Sequence, residues 1–239
     1  MAPCAIPADS VIIYSTGEPL EGECVEFRLL YYGRLLSGNK PHPDNKQEIR
    51  LELSPQIKRL IECKPILRKH CSREGYKWFQ EHPDDQETFN STLREDEEKR
   101  SLLYEYWVRS MAKKWDRDGH GFVPLITEEM DIRCSLDILF LRPNPPGNII
   151  TRTDLDNRLK TLVDALKVPD TSSGLGACSS EPTYCLLEDD RLISEIKVVS
   201  DQLLRLPGEK TFTENDVFLV VSVVVESPAS NIWHQAECV

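Results

Sequence analysis

The residues best suited to chemistry in this 239-residue chain are acids in two blocks. The first lies in Thr153–Leu166, TDLDNRLKTLVDAL, where Asp154 and Asp156 are followed by Lys160 and Asp164. The second is Glu188-Asp189-Asp190. Each block has an ordinary explanation. An aspartate at a helix entry caps the helix, and Asp–Lys at i, i+4 is a routine surface pair. Three consecutive acids in a turn are tolerated because water solvates them. Together, though, the blocks flank a helix–loop–strand unit whose ends meet in space. Carboxylates that converge repel one another unless a cation neutralises them. Hard Mg²⁺ or Mn²⁺ prefers such oxygen ligands. A carboxylate-held metal activates water and holds a phosphate, and a nearby lysine stabilises the charge that develops. The chemistry this points to is phosphodiester cleavage.

These residues need a scaffold. Leu155, Leu159, Leu162, Val163 and Leu166 form one apolar stripe, so the first block rides on an amphipathic helix from about Asp154 to Lys167. Asp156, Lys160 and Asp164 make a second row along its side. Upstream, Glu129–Pro143 alternates at period two and predicts a strand. The EDD turn leads into a second strand, and VFLVVSVVV at Val217–Val225 predicts a buried third. Val25–Leu36 reads as an N-terminal strand. Lys46–Cys63 reads as helix, with Pro55 dividing it or starting its second half. Glu97–Trp115 is an amphipathic helix with Leu103, Trp107, Met111 and Trp115 in its core stripe. Val168–Thr183 reads as a long loop, and DRDGHG at Asp116–Gly121 as a glycine-rich hairpin turn rather than a calcium loop. The mixture predicts an α+β domain, a small mixed sheet with packed helices, in one unit over residues 1–239.

Charge is uneven. The chain carries −11 overall. Residues 25–78 hold 12 Lys+Arg against 6 Asp+Glu, and residues 81–100 hold 8 acids against 3 bases. The second stretch reads as an acidic insertion. No apolar run reaches the roughly 18 residues of a membrane helix. The eight cysteines form no C-x-x-C pair, and with no secretory signal apparent they read as reduced thiols of a cytoplasmic protein. Cys63, His70 and Cys71 match no compact zinc module.

The composite D-L-D-N-x-x-K-x-x-x-D-A-L, then D-D-x-x-I, resembles the RusA family of Holliday junction resolvases. It is written here as Asp154 to Leu166 and Asp189 to Ile193. The motif-bearing part is about residues 131–226, and the N-terminal half is enlarged. The resemblance implies a Mg²⁺- or Mn²⁺-dependent homodimeric endodeoxyribonuclease that resolves four-way DNA junctions in recombination and repair. It implies Asp154, Asp156 and Asp190 as catalytic metal-binding acids, Asp189 as a supporting metal ligand and Lys160 as the catalytic lysine. The family carries a basic run before its first aspartate. Here Thr153 stands there beside Arg152, so DNA contacts are expected from Arg152 and from Arg34, Lys58 and Arg59 in the basic segment. Two alternatives remain open. One is a RusA-like module that binds or regulates DNA without efficient cleavage. The other is a metal-dependent phosphoesterase acting on a small substrate.

Overall fold

The computed structural model describes residues 25–37, 42–81, 96–143, 152–176, 181–204 and 213–226, with backbone alone for 78–81, 96–100 and 152–154. The architecture is α+β. Among the described residues the strands are β1 (Val25–Arg34), β2 (Asp116–Arg117), β3 (His120–Ile126), β4 (Arg133–Arg142), β5 (Thr183–Leu187), β6 (Ile193–Gln202) and β7 (Asp216–Glu226), and the helices are α1 (Pro43–Cys63), α2 (Pro65–Glu81), α3 (Asp96–Lys114) and α4 (Arg152–Leu166).

The strands form two mixed sheets. One runs β1-β7-β4-β6, the other β2-β3-β5. β7 is antiparallel to both its neighbours, while β4 and β6 run parallel, as do β3 and β5. β7 owes its central place to its composition. Val217, Leu219, Val221, Val223 and Val225 alternate inward and are at most 1 % exposed. They join β4 residues Leu136, Ile138 and Phe140 in one core cluster that also takes in α1, α3, α4, β3 and β5.

Helix α1 is continuous through Pro55, contrary to the division expected there. A proline inside a helix removes one hydrogen bond, from the carbonyl four residues earlier. That residue, Leu51, is 53 % exposed, and the helix stays straight enough to bury Leu53 and Ile57 on its other face. Further elements were not expected: α2 is sparse in apolar residues, β3 runs on from the hairpin turn, and β5 is a five-residue strand that begins at the last residue of the stretch read as loop. β4 starts at Arg133 rather than Glu129, because Thr127–Asp131 turns first, with Asp131 at φ 49°. Within the acidic insertion, residues 82–95 lie outside the described residues.

Among the described residues no helix is long and apolar enough to cross a membrane.

Candidate functional site at the end of the parallel strands

The two parallel strands β3 and β5 end side by side, and acids follow both. Glu128 succeeds β3, and Glu188, Asp189 and Asp190 succeed β5. The chain closes this end with its own backbone. The Glu188 amide donates to Ile126 O at 2.9 Å, and the Glu128 amide donates to Glu188 Oε2 at 3.2 Å. Glu188 is therefore a buried structural carboxylate, a correction to the solvated turn expected of the EDD triplet. Asp189 caps a short 3₁₀ turn, Asp190–Leu192, its Oδ1 accepting from the Arg191 amide at 3.0 Å. Arg191 swings back to Glu128 at 2.6 Å. A cleft of about 210 Å³ opens beside this pair, lined by Glu128, Asp131, Ile132, Arg133, Arg191 and Leu192.

The site's second wall is the C-terminal end of α4. The Val168 amide donates to Leu187 O at 3.0 Å, so the chain leaving α4 lies against β5. Lys167 is nearly buried there. Its Nζ lies 3.3 Å from Asp170 and 3.9 Å from Asp190. Burial alone would lower the lysine's pKa, but Asp170, Asp190 and Asp189 overcome this and raise it. The ammonium also suits the negative end of the helix dipole. Two residues of α1 hold this end in place. Lys46 pairs with Asp164 at 2.6 Å. Arg50, 3 % exposed, donates to Asp164 O at 2.8 Å, Lys167 O at 3.1 Å and Gln47 Oε1 at 2.9 Å. Near the other end of α4, buried Arg158 donates to Leu35 O and Glu214 O, and Thr161 Oγ1 donates to Leu36 O.

The expected residues are distributed as follows. Asp190 and Asp189 meet Lys167 and Asp170 at the end of β5. Asp156 and Lys160 are exposed on α4, and Leu155, Leu159, Leu162 and Leu166 bury against the core as the stripe required. From Asp156 to Lys167 the helix axis advances about 16 Å. The backbones of Arg152 and Asp154 are in α4, and their side chains lie outside the described residues. Asp164 pairs with Lys46 on a neighbouring helix, not with Lys160 one turn away. Lys58 approaches Glu181 at 3.6 Å and Arg59 approaches Glu62 at 3.6 Å, both on the surface. Arg34 is exposed at the end of β1, and Asn45, near the start of α1, donates to its carbonyl. It sits about 20 Å along α1 from Lys58 and Arg59.

No family model matches this chain, and no curated protein or solved structure matches it. The site has to be read from its own residues. Among the described residues, no group of three or more His, Cys, Asp or Glu side chains is placed to hold a metal ion, and Asp154 is not among those side chains. The donor types nevertheless suit a hard cation, because Asp189 and Asp190 are solvent-accessible carboxylates on a strand end. The sequence reasoning missed Lys167, Arg50 and Lys46. Lys167 follows an amphipathic helix directly, where a basic residue is a generic helix-end feature. Its partner in the second block could not be read from spacing.

Proposed function

We propose that this protein is a RusA-like, Mg²⁺- or Mn²⁺-dependent endodeoxyribonuclease acting on four-way DNA junctions, as a cytoplasmic homodimer. The observation that carries the reading is the approach of Asp190 to Lys167. It ties the second acidic block to the helix that carries the first, although a loop and a strand separate them in sequence. Asp190, with Asp189 beside it, would hold one side of the metal, and the entry of α4 with Asp154 and Asp156, about 16 Å along the helix axis from Lys167, would have to close on it from the other. Bound there, the metal would supply a water of lowered pKa and a positive charge on the scissile phosphate. The chain's own residues do the rest. Lys160, exposed one turn from Asp156, is free to meet a phosphate oxygen. Lys167 places its ammonium 3.9 Å from the Asp190 carboxylate, and Arg50 holds the Lys167 carbonyl. Arg34, Lys58, Arg59 and Arg152 would contact the phosphate backbone, where each cation released from DNA makes binding steeply salt-dependent.

The length of helix between Asp156 and Lys167 favours a second reading, a RusA-like module that binds branched DNA without cutting it. A nicking assay on a synthetic four-way junction with Mg²⁺ separates the two. Cleavage should fall by about 100-fold or more in Asp156→Asn and in Asp190→Asn, the usual loss when a group stabilising the transition state is removed. Junction binding should persist. Binding without nicking in the unmodified protein selects the second reading. Cleavage that survives Asp156→Asn rejects the metal-site assignment. No binding to the junction at any salt concentration rejects both.

A further inference from the structure

Helix α2 packs one face against the protein and turns a different chemistry outward. Leu67, His70 and Cys71 are buried, and Gly75 lies against the α3 backbone at Leu103. The opposite face holds Lys69, Arg73 and Lys77 in a row at i, i+4 and i+8, with Tyr76 beside them at i+7. Tyr76 is 43 % exposed, and Lys77 is exposed next to it. The charge is one-sided. Residues 64–77 carry Lys64, Arg68, Lys69, Arg73 and Lys77 against a single acid, Glu74, in a chain of net charge −11. Such a local excess makes a positive field over its own face, whatever the whole-chain sum.

The one acid orders this face without cancelling it. The Glu74 side chain is 10 % exposed, and its two oxygens accept from Lys77 Nζ at 2.8 and 2.9 Å. Arg73 reaches the same carboxylate through one nitrogen, Nη2, at 3.5 Å. Two cations therefore share one carboxylate and keep donors for an outside acceptor. Lys69 has no carboxylate partner among the described residues. Successive cations of the row advance by about 6 Å along the helix axis. Cations already held in place lose less side-chain entropy when they bind.

We infer that this outer face of α2 grips the phosphate backbone of a DNA arm, as a second contact surface remote from the acids. Lys, Arg and Tyr side chains all donate to phosphate oxygens, and such contacts position a duplex without reading its sequence. The row is three cations and one hydroxyl on a convex helix, with no pocket for a base or a small phosphate ester, so a repeating polyanion is the ligand it fits. Helix α1 carries the face away from the candidate site. From Arg50, which holds the Lys167 carbonyl, to Cys63 at its end, the axis advances about 20 Å. That is roughly six base pairs of duplex at about 3.4 Å each. The inference rests on the DNA reading above, since a small phosphate substrate would leave α2 without a role.

The test is fluorescence anisotropy of the full chain on a labelled four-way junction, with EDTA in place of metal, over about 50 to 200 mM salt. The combined variant Lys69→Gln, Arg73→Gln, Lys77→Gln should bind at least about tenfold more weakly, and the slope of log affinity against log salt should shrink by about 1 for each cation removed. Should that variant fail to fold, Lys69→Glu serves alone, because it disturbs no ion pair, and it should weaken binding at least about threefold. Lys197→Glu, at an exposed position on β6, makes the same charge change elsewhere and should bind as the unmodified chain does. With Mg²⁺ and saturating junction, the nicking rate of the α2 variants should be unchanged. A junction bound and nicked with a salt slope that ignores the α2 substitutions overturns this surface and leaves the nuclease reading standing. An equal loss in Lys197→Glu also overturns it, as an effect of net charge. Binding that depends on α2 in a chain that never nicks supports the surface and rejects the nuclease. No junction binding at any salt concentration rejects both.

Discussion

Arg50 is the residue on which the candidate site's frame most depends, and replacing it with methionine tests that claim. Methionine keeps an unbranched stem of similar length in a buried position. It removes three donated hydrogen bonds, to Asp164 O, Lys167 O and Gln47 Oε1. The first two acceptors lie at the C-terminal end of α4, where carbonyls lack intrahelical partners. Leaving a buried acceptor unsatisfied costs about 1–3 kcal/mol. Against this stands the relief of no longer burying a guanidinium, whose pKa is pushed down by that burial despite the opposing fields of Cys185, Asp164 and Asp170. The balance is a loss of about 2–4 kcal/mol, from a total that for a domain of this kind is about 5–15 kcal/mol. Urea unfolding followed by tryptophan fluorescence reads it directly. The Val168 amide, which donates to Leu187 O, should lose hydrogen-exchange protection more than amides in β7. A loss under about 0.5 kcal/mol, with Val168 as protected as before, would refute the idea that Arg50 holds α4 against β5.

Three further outcomes follow from specific contacts. Gly75→Ala should destabilise by about 2 kcal/mol or more, because an added Cβ would collide with the backbone of α3 at the Leu103 carbonyl oxygen; thermal unfolding checks it. His70 is buried with its pKa lowered to about 4, chiefly by that burial, with Glu74 opposing. The unfolded chain therefore takes up this proton first, and stability should fall by about 3 kcal/mol as pH drops from 6.5 to 4. The fall should shrink by that amount in His70→Leu, as measured by urea titrations at both pH values. Lys167 has a raised pKa, so its contribution should be full at neutral pH and disappear as pH rises through the folded-state value. The difference in stability between Lys167→Met and the unmodified chain, roughly 1 kcal/mol, should hold from pH 6 to 9 and be lost as the pH rises past the ordinary lysine range through the raised one.

How much of this was legible in the sequence depends on how local each feature is. The alternation of Cys134, Leu136, Ile138 and Phe140 and the valines of β7 announce strands because each strand buries one whole face. The stripe of α4 is legible for the same reason at helical period. The α+β class follows from those two periods. α2 escaped because a helix packed mainly against another helix needs fewer apolar positions. β5 escaped because all five of its residues are buried, which leaves no alternation to see. Pro55 misled because the cost of a helical proline depends on where the orphaned carbonyl points, and that is settled by the packing of Leu53 and Ile57 on the opposite face.

The acids divide along the same line. Spacing alone put Asp156, Lys160 and Asp164 in a row, and the row exists, but spacing cannot say which neighbour each charge meets. Asp164 takes Lys46 from α1, a residue 118 positions away, and a tertiary partner that can be oriented by packing outcompetes a lysine one turn along on a solvated face. Glu188 is taken out of the acidic triplet by the Glu128 amide, because two parallel strands ending together leave a backbone donor that a carboxylate can satisfy. What is left accessible is Asp189 and Asp190, facing Lys167. The triplet thus splits by function. Glu188 closes the strand ends, Asp189 shapes the turn, and Asp190 stays exposed beside Lys167. A substitution series should reproduce that order. Glu188→Gln should lower stability, and Asp190→Asn should leave stability within about 0.5 kcal/mol, as for an ordinary surface change, while abolishing any nicking on the proposed nuclease reading. If Asp190→Asn unfolds the chain instead, its pairing with Lys167 is structural, and the site has no free acid at the strand end.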